Sequence, residues 1–168
     1  MIVYLGHPID LAGSKAPYFA KQAQVARNVL NNDGCCVYSP ANAWQVATPM
    51  SPKIQQINLE ALLASDVAMF IMPADVPSLG VPFELAYAHI YNIPTVIVRG
   101  LSTITEKMRG ESALLSFLGH ATIFGDSDLQ LAAHYAAEVA KNASAANAPT
   151  KPENATESNG NPTERTGK

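Results

Sequence analysis

Two short runs of apolar, largely β-branched residues, Val67–Met72 and Thr95–Val98, bracket a segment patterned as a helix. Runs this short and this apolar predict strands buried on both faces. A strand, a helix and a second strand in that order form a βαβ unit, so the two strands must be parallel. Pro82 predicts the helix start, because the missing N–H of a first helical residue costs nothing. Glu84 is then expected in the first turn, near unpaired backbone N–H groups and the positive end of the helix dipole, where a carboxylate stays ionised at neutral pH. It also lies beyond the carboxyl end of a parallel strand, where open α/β sheets bind ligands. Acidic residues are common in first turns for purely structural reasons, yet this placement makes Glu84 the best candidate nucleophile in the chain.

The remaining segments repeat the alternation. Ile2–Gly6 reads as a strand that runs into Gly6-His7-Pro8-Ile9-Asp10, and Gly-Ser-Lys-Ala-Pro after it reads as loop. Apolar residues at helical spacing from Tyr18 to Leu30 predict a helix, ended by Asn31-Asn32-Asp33-Gly34. Cys35–Tyr38 is a second strand, residues 39–51 an irregular loop, and Pro52–Ala64 a helix with Ile54, Ile57, Leu59, Leu62 and Leu63 on its apolar face. Beyond the central unit, residues 105–118 suggest an interrupted helix, 121–124 a fifth strand, and 126–141 an Ala-rich helix capped by Ser127 or Asp126. The fold expected is a three-layer, doubly wound (flavodoxin/Rossmann-like) five-stranded parallel sheet with helices on both faces. At 168 residues, 48% of them hydrophobic, the chain suffices for one such core. Residues 1–141 are read as the catalytic domain and 142–168, polar and aperiodic, as a disordered tail.

Charge and cysteine usage narrow the partners. A net charge of −3 without a basic cluster argues against polymeric nucleic acid and leaves a single nucleotide open. No apolar run is long enough to span a membrane and no secretory signal is visible, so a cytoplasmic location is expected. Cys35 and Cys36 are adjacent, hence on opposite faces of a strand, and read as packed free thiols. The four histidines lack metal-ligand spacing, so neither a metal nor a cofactor is expected. There is no Gly-x-Gly-x-x-Gly run after the first strand, and no P-loop.

Other residues could join Glu84. Tyr4 shares a strand face with Gly6, which suits either a core tyrosine or a phenol aimed at the carboxylate. His7, Ile9 and Asp10 follow the same strand at the carboxyl edge of the sheet. Ser78 and Gly80 lie in the loop before the helix, where a hydroxyl and backbone N–H groups suit an anion such as a phosphate.

The segments VYLGHPID, NLEALLASDVAMFIMP and SLGVPFELAYAHIYNIPTVIV resemble the nucleoside 2-deoxyribosyltransferase family over most of residues 1–110. The Pro-Ser-Leu-Gly-Val-x-x-Glu-Leu loop looks most like the 2′-deoxynucleoside 5′-monophosphate N-glycosidase (N-hydrolase) branch. The resemblance implies that Glu84 attacks C1′ of the sugar, that Tyr4 orients its carboxylate and that Ser78 binds the phosphate. It also implies that Thr105, beside Arg109, reaches a neighbouring subunit's ligand, hence a homodimer with shared sites. One residue departs from the pattern: Asn58 stands where the family carries the aspartate that protonates the leaving base. An amide cannot deliver a proton, so either the leaving base needs little protonation, or another acid, Asp10 or Asp75, takes over, or the chain binds without turning over. The strand-one loop also lacks an arginine near the phosphate, for which His7 is a partial substitute. The activity implied is release of the base from a (deoxy)nucleoside 5′-monophosphate; base exchange between nucleosides, or nucleotide binding without turnover, are the alternatives.

Overall fold

The computed structural model describes residues 1–9, 15–43, 52–72, 80–99 and 121–146. Five strands form a single sheet: β1 (Ile2–Gly6), β2 (Cys36–Tyr38), β3 (Val67–Met72), β4 (Thr95–Arg99) and β5 (Ala121–Gly125). Every pairing is parallel, and the spatial order is β2-β1-β3-β4-β5. This is the flavodoxin-like order, whose ligand crevice opens at the carboxyl ends of β1 and β3, where the winding reverses.

Side-chain alternation on the central strands divides the core in two. One face of the sheet carries Val3, Leu5, Val67, Met69, Val96 and Val98, covered by α1 (Lys15–Asn32) and the Ala-rich C-terminal helix Leu129–Ala146. The other carries Tyr4, Ala68, Phe70 and Ile97, covered by α3 (Pro52–Leu63) and α4 (Gly80–Ile90). A four-residue helix, α2 (Pro40–Ala43), makes the Leu129–Ala146 helix α5. Register fixes which residues share the second face: Tyr4 pairs with Ala68, and Gly6 with Phe70.

Helix ends follow turn chemistry. Gly34, at φ +82°, closes α1, with Cys35 N–H donating to the Leu30 carbonyl at 2.9 Å and Gly34 N–H to Asn31 at 3.0 Å. Asn92, at φ 55°, does the same for α4, where Ile93 N–H donates to Ala88 at 2.8 Å and Asn92 N–H to His89 at 3.0 Å. Both are Schellman closures, built on residue types that tolerate the left-handed conformation. Cys35 is buried and Cys36 exposed, both free, as strand alternation requires.

Several expectations change. The helix over 15–32 starts earlier than periodicity indicated, and residues 40–43 form a helical turn inside the segment read as irregular. Ile57 and Leu63 are 39% and 46% exposed, so Ile54 and Leu62 anchor α3 to the sheet. A 3-10 turn, Asp126–Asp128, whose own N-cap Gly125 makes no side-chain hydrogen bond, leads into the C-terminal helix, which starts at Leu129 and not at Asp126. That helix runs to Ala146, five residues into the segment read as tail. Those residues bury little, but high alanine propensity continues a helix already begun. The helix expected over 105–118 and the rest of the tail lie outside the described residues.

Candidate functional site

The site is assembled by two helices over the ends of two strands. On α3, Gln55, Asn58 and Leu59 form an i, i+3, i+4 stripe; on α4, Gly80, Phe83 and Glu84 form another. Residues at these separations lie on one helix face. The two stripes line a cavity of about 270 Å³, near the lower end of small-molecule sites. Leu59 and Phe83 give it apolar walls; Gln55, Asn58 and Glu84 supply the polar groups.

Helix α4 begins at Gly80, so Pro82 is its third residue and Glu84 its fifth. Proline is tolerated throughout a first turn, where its N–H would have no partner. Glu84 therefore lies beyond the first turn, and desolvation rather than the dipole governs it. Burial pushes its pKa from 4.5 up to about 7, opposed by Tyr4. The expectation of a fully ionised carboxylate is corrected accordingly: near neutral pH both forms are populated.

Tyr4 is fully buried in β1, and burial followed by the nearby Glu84 carboxylate holds its hydroxyl well above the ordinary phenol range. The hydroxyl has no completed hydrogen bond among the described residues, although Tyr4 and Glu84 each perturb the other's ionisation. A buried phenol without a settled partner beside a carboxyl is a donor available to it. Gly6 makes the approach possible. A β-carbon on it would lie 2.5 and 2.7 Å from Phe70 ring carbons and 3.2 Å from Glu84 Oε2.

Asn58 is 9% exposed, and its Oδ1 accepts a hydrogen bond from the Tyr38 hydroxyl at 2.7 Å. Tyr38 ends β2 and stacks on Tyr4, with ring centroids 5.7 Å apart and planes 25° apart. Among the described residues nothing lies within 4 Å of a β-carbon placed on Gly80, the first residue of α4, which lines the cavity. Tyr4, Gly6, Asn58, Gly80 and Glu84 are thus brought together.

His7 is buried, and its Nδ1–H donates to the Pro8 carbonyl at 3.2 Å. Burial lowers its pKa, opposed by that hydrogen bond and joined by repulsion from Arg27. The ring is neutral at pH 7, so it offers no positive charge in place of an arginine. Ile9 is half-buried just beyond β1. Asp10, Asp75, Ser78, Thr105 and Arg109 lie outside the described residues. Among those that are described, no three His, Cys, Asp or Glu side chains gather as a metal site, and no helix is long and apolar enough to cross a membrane.

Tyr38, Gln55, Leu59 and Phe83 were not singled out from sequence. The signal for the last three was present in helical spacing: Gln55 stands three residues before Asn58, Leu59 four after Gln55, and Phe83 three after Gly80. Leu59 instead read as part of the apolar core face. Nothing local marks Tyr38, whose partner is twenty residues away.

No protein-family model matches the sequence, and no curated protein matches it significantly. Solved structures do. A 2-deoxyribosyltransferase from Bacillus psychrosaccharolyticus is 20% identical, over 67% of this chain and 82% of that one, with a TM-score of 0.53. A conserved protein from Enterococcus faecalis V583 is 15% identical, over 80% of this chain and 97% of that one, with a TM-score of 0.61. A CMP N-glycosidase from Clostridium botulinum is 12% identical, over 78% of this chain and 96% of that one, with a TM-score of 0.54. The three share this chain's fold.

Proposed function

We propose that the protein is an enzyme that cleaves the N-glycosidic bond of (deoxy)nucleoside 5′-monophosphates, with Glu84 as nucleophile. One observation carries this reading: a half-buried carboxyl, faced by the Tyr4 phenol and admitted by Gly6, lines a cavity at the switch point of the sheet. An ionised Glu84 oxygen attacks C1′; the C1′–O bond forms as the C1′–N bond breaks, and the electron pair leaves with the base. Water then opens the glycosyl ester, regenerating the carboxylate and releasing the sugar phosphate with retained configuration. Tyr4 holds the carboxylate in line.

Gly80, the first residue of α4, offers its backbone N–H to a phosphate, and roles at the phosphate for Ser78, Thr105 and Arg109, drawn from the family resemblance, are part of the same proposal. Thr105 comes from a second copy in a homodimer. Two structures with this fold are named as enzymes of nucleoside or nucleotide chemistry, a 2-deoxyribosyltransferase and a CMP N-glycosidase, which supports the reaction class.

The test is release of free base from a panel of nucleosides and 5′-monophosphates, with and without Glu84→Ala. Wild-type release that falls on the order of 10⁴-fold or more in the variant is expected for loss of a nucleophile. Undiminished release would remove Glu84 from the chemistry. A second base added to the reaction and recovered as a new nucleotide would redirect the second step from water to base exchange.

A further inference from the structure

The hydrogen bond from Tyr38 to Asn58 decides what the cavity can offer a departing base. A carboxamide has one acceptor oxygen and one two-proton donor nitrogen. The Asn58 oxygen is engaged by Tyr38 at 2.7 Å, and among the described residues the amide nitrogen has no protein partner. Asn58 lines the cavity together with Glu84, and with its oxygen turned to Tyr38 the amide N–H is the group it has free to present there. Tyr38 keeps its proton at neutral pH, because burial and then the Glu84 charge raise its pKa. Its ring is further fixed by stacking on Tyr4. Gln55, one turn before Asn58 on the same stripe, is also a carboxamide. The α3 side of the cavity therefore provides hydrogen-bond donors and no acid.

This matters for the bond that breaks. When C1′–N1 of a 2-oxopyrimidine cleaves, the electron pair from N1 delocalises onto the adjacent O2, and an N–H donor stabilises that charge. The base leaves as an anion and takes its proton from water afterwards. A purine departing from N9 has no oxo group beside the glycosidic nitrogen. Its departure is assisted chiefly by protonation of a ring nitrogen, which an amide cannot perform.

We infer that Asn58, locked as a donor by Tyr38, is the specificity-determining contact of the site and selects nucleotides of 2-oxopyrimidines over those of purines. The inference rests on the N-glycosidase reading above and names its substrate class. Asn58 touches the base; Tyr38 is a positioning residue that acts through it.

Base release from the 5′-monophosphates of uracil, thymine, cytosine, adenine and guanine, in ribose and deoxyribose forms, tests the inference. Wild type is expected to release uracil and thymine at least tenfold faster than either purine. Asn58→Leu is expected to lose about 10- to 100-fold on the pyrimidines, the loss of a hydrogen bond to a charged group, with purine release little changed. Tyr38→Phe keeps the ring stack and frees the amide to turn; the pyrimidine-to-purine ratio falls while the thermal midpoint holds. Asn58→Asp restores an acid and raises purine release toward low pH. Equal release of all bases by wild type, or an Asn58→Leu loss shared equally by all substrates, overturns the inference and leaves the Glu84 mechanism intact. Absence of base release from every substrate overturns both.

Discussion

Glu84 Oε2 lies 3.2 Å from the point where a β-carbon would project from Gly6. The last residue of β1 therefore carries no side chain where a carboxyl from α4 comes down onto the sheet edge. The same missing carbon makes room for the Phe70 ring on β3, so one glycine serves the core and the site together.

Gly6→Ala should damage both. Its new methyl meets the Phe70 ring at 2.5 and 2.7 Å, closer than any real contact, and Phe70 is fully buried with little freedom to yield. Overpacking of this kind costs about 1–3 kcal/mol, which urea denaturation would read. Phe70→Leu in the same chain should recover much of the stability but not the base-releasing activity, because the methyl still crowds Glu84.

Gly34→Ala separates conformation from space. Among the described residues a β-carbon there meets only Met1 Cε, at 3.8 Å, but φ is +82°. The cost is therefore that of a left-handed alanine, about 1 kcal/mol, with base release unchanged because the residue closes α1 away from the cavity. A fall in base release in Gly34→Ala, or no loss of stability at all in urea denaturation, would contradict the strain argument.

The Glu84 carboxyl should leave a signature in both rate and stability against pH. The folded-state pKa, about 7, is above the unfolded 4.5, so between these values the folded protein holds more protons than the unfolded chain. Stability then falls as pH rises through that window and levels off above it. Glu84→Gln removes the effect: its thermal midpoint should exceed wild type above pH 7 and converge with it below about pH 4.5. Activity runs the other way, since only the ionised form attacks, and kcat/KM should rise with pH through a limb near 7. In Tyr4→Phe the interaction that lowers the Glu84 pKa is lost, so this limb should move to higher pH. A pH-independent stability difference between wild type and Glu84→Gln would contradict the picture of a desolvated carboxyl.

Much of this molecule is written locally. The strands β3 and β4, the stop at Gly34, the opposed faces of Cys35 and Cys36 and the shared face of Tyr4 and Gly6 each depend on a few neighbouring residues. Periodicity of 2 or 3.6 and the conformational limits of glycine and asparagine carry that information without reference to the rest of the chain. The choice of Glu84 as candidate nucleophile followed in the same way, from a helix start placed after a parallel strand.

Tertiary packing decided how Glu84 behaves and what surrounds it. A first-turn dipole argument predicts an ionised carboxylate, whereas the folded protein withdraws that group from water behind Tyr4 and raises its pKa. Desolvation is set by atoms brought from β1, β3 and α3, and no window of sequence contains them. The Tyr38–Asn58 pair is of the same kind, joining the end of one strand to the middle of the next long helix. Local rules placed the side chains on their faces; only the packing of those faces against one another determined which polar groups meet, and in which state of charge.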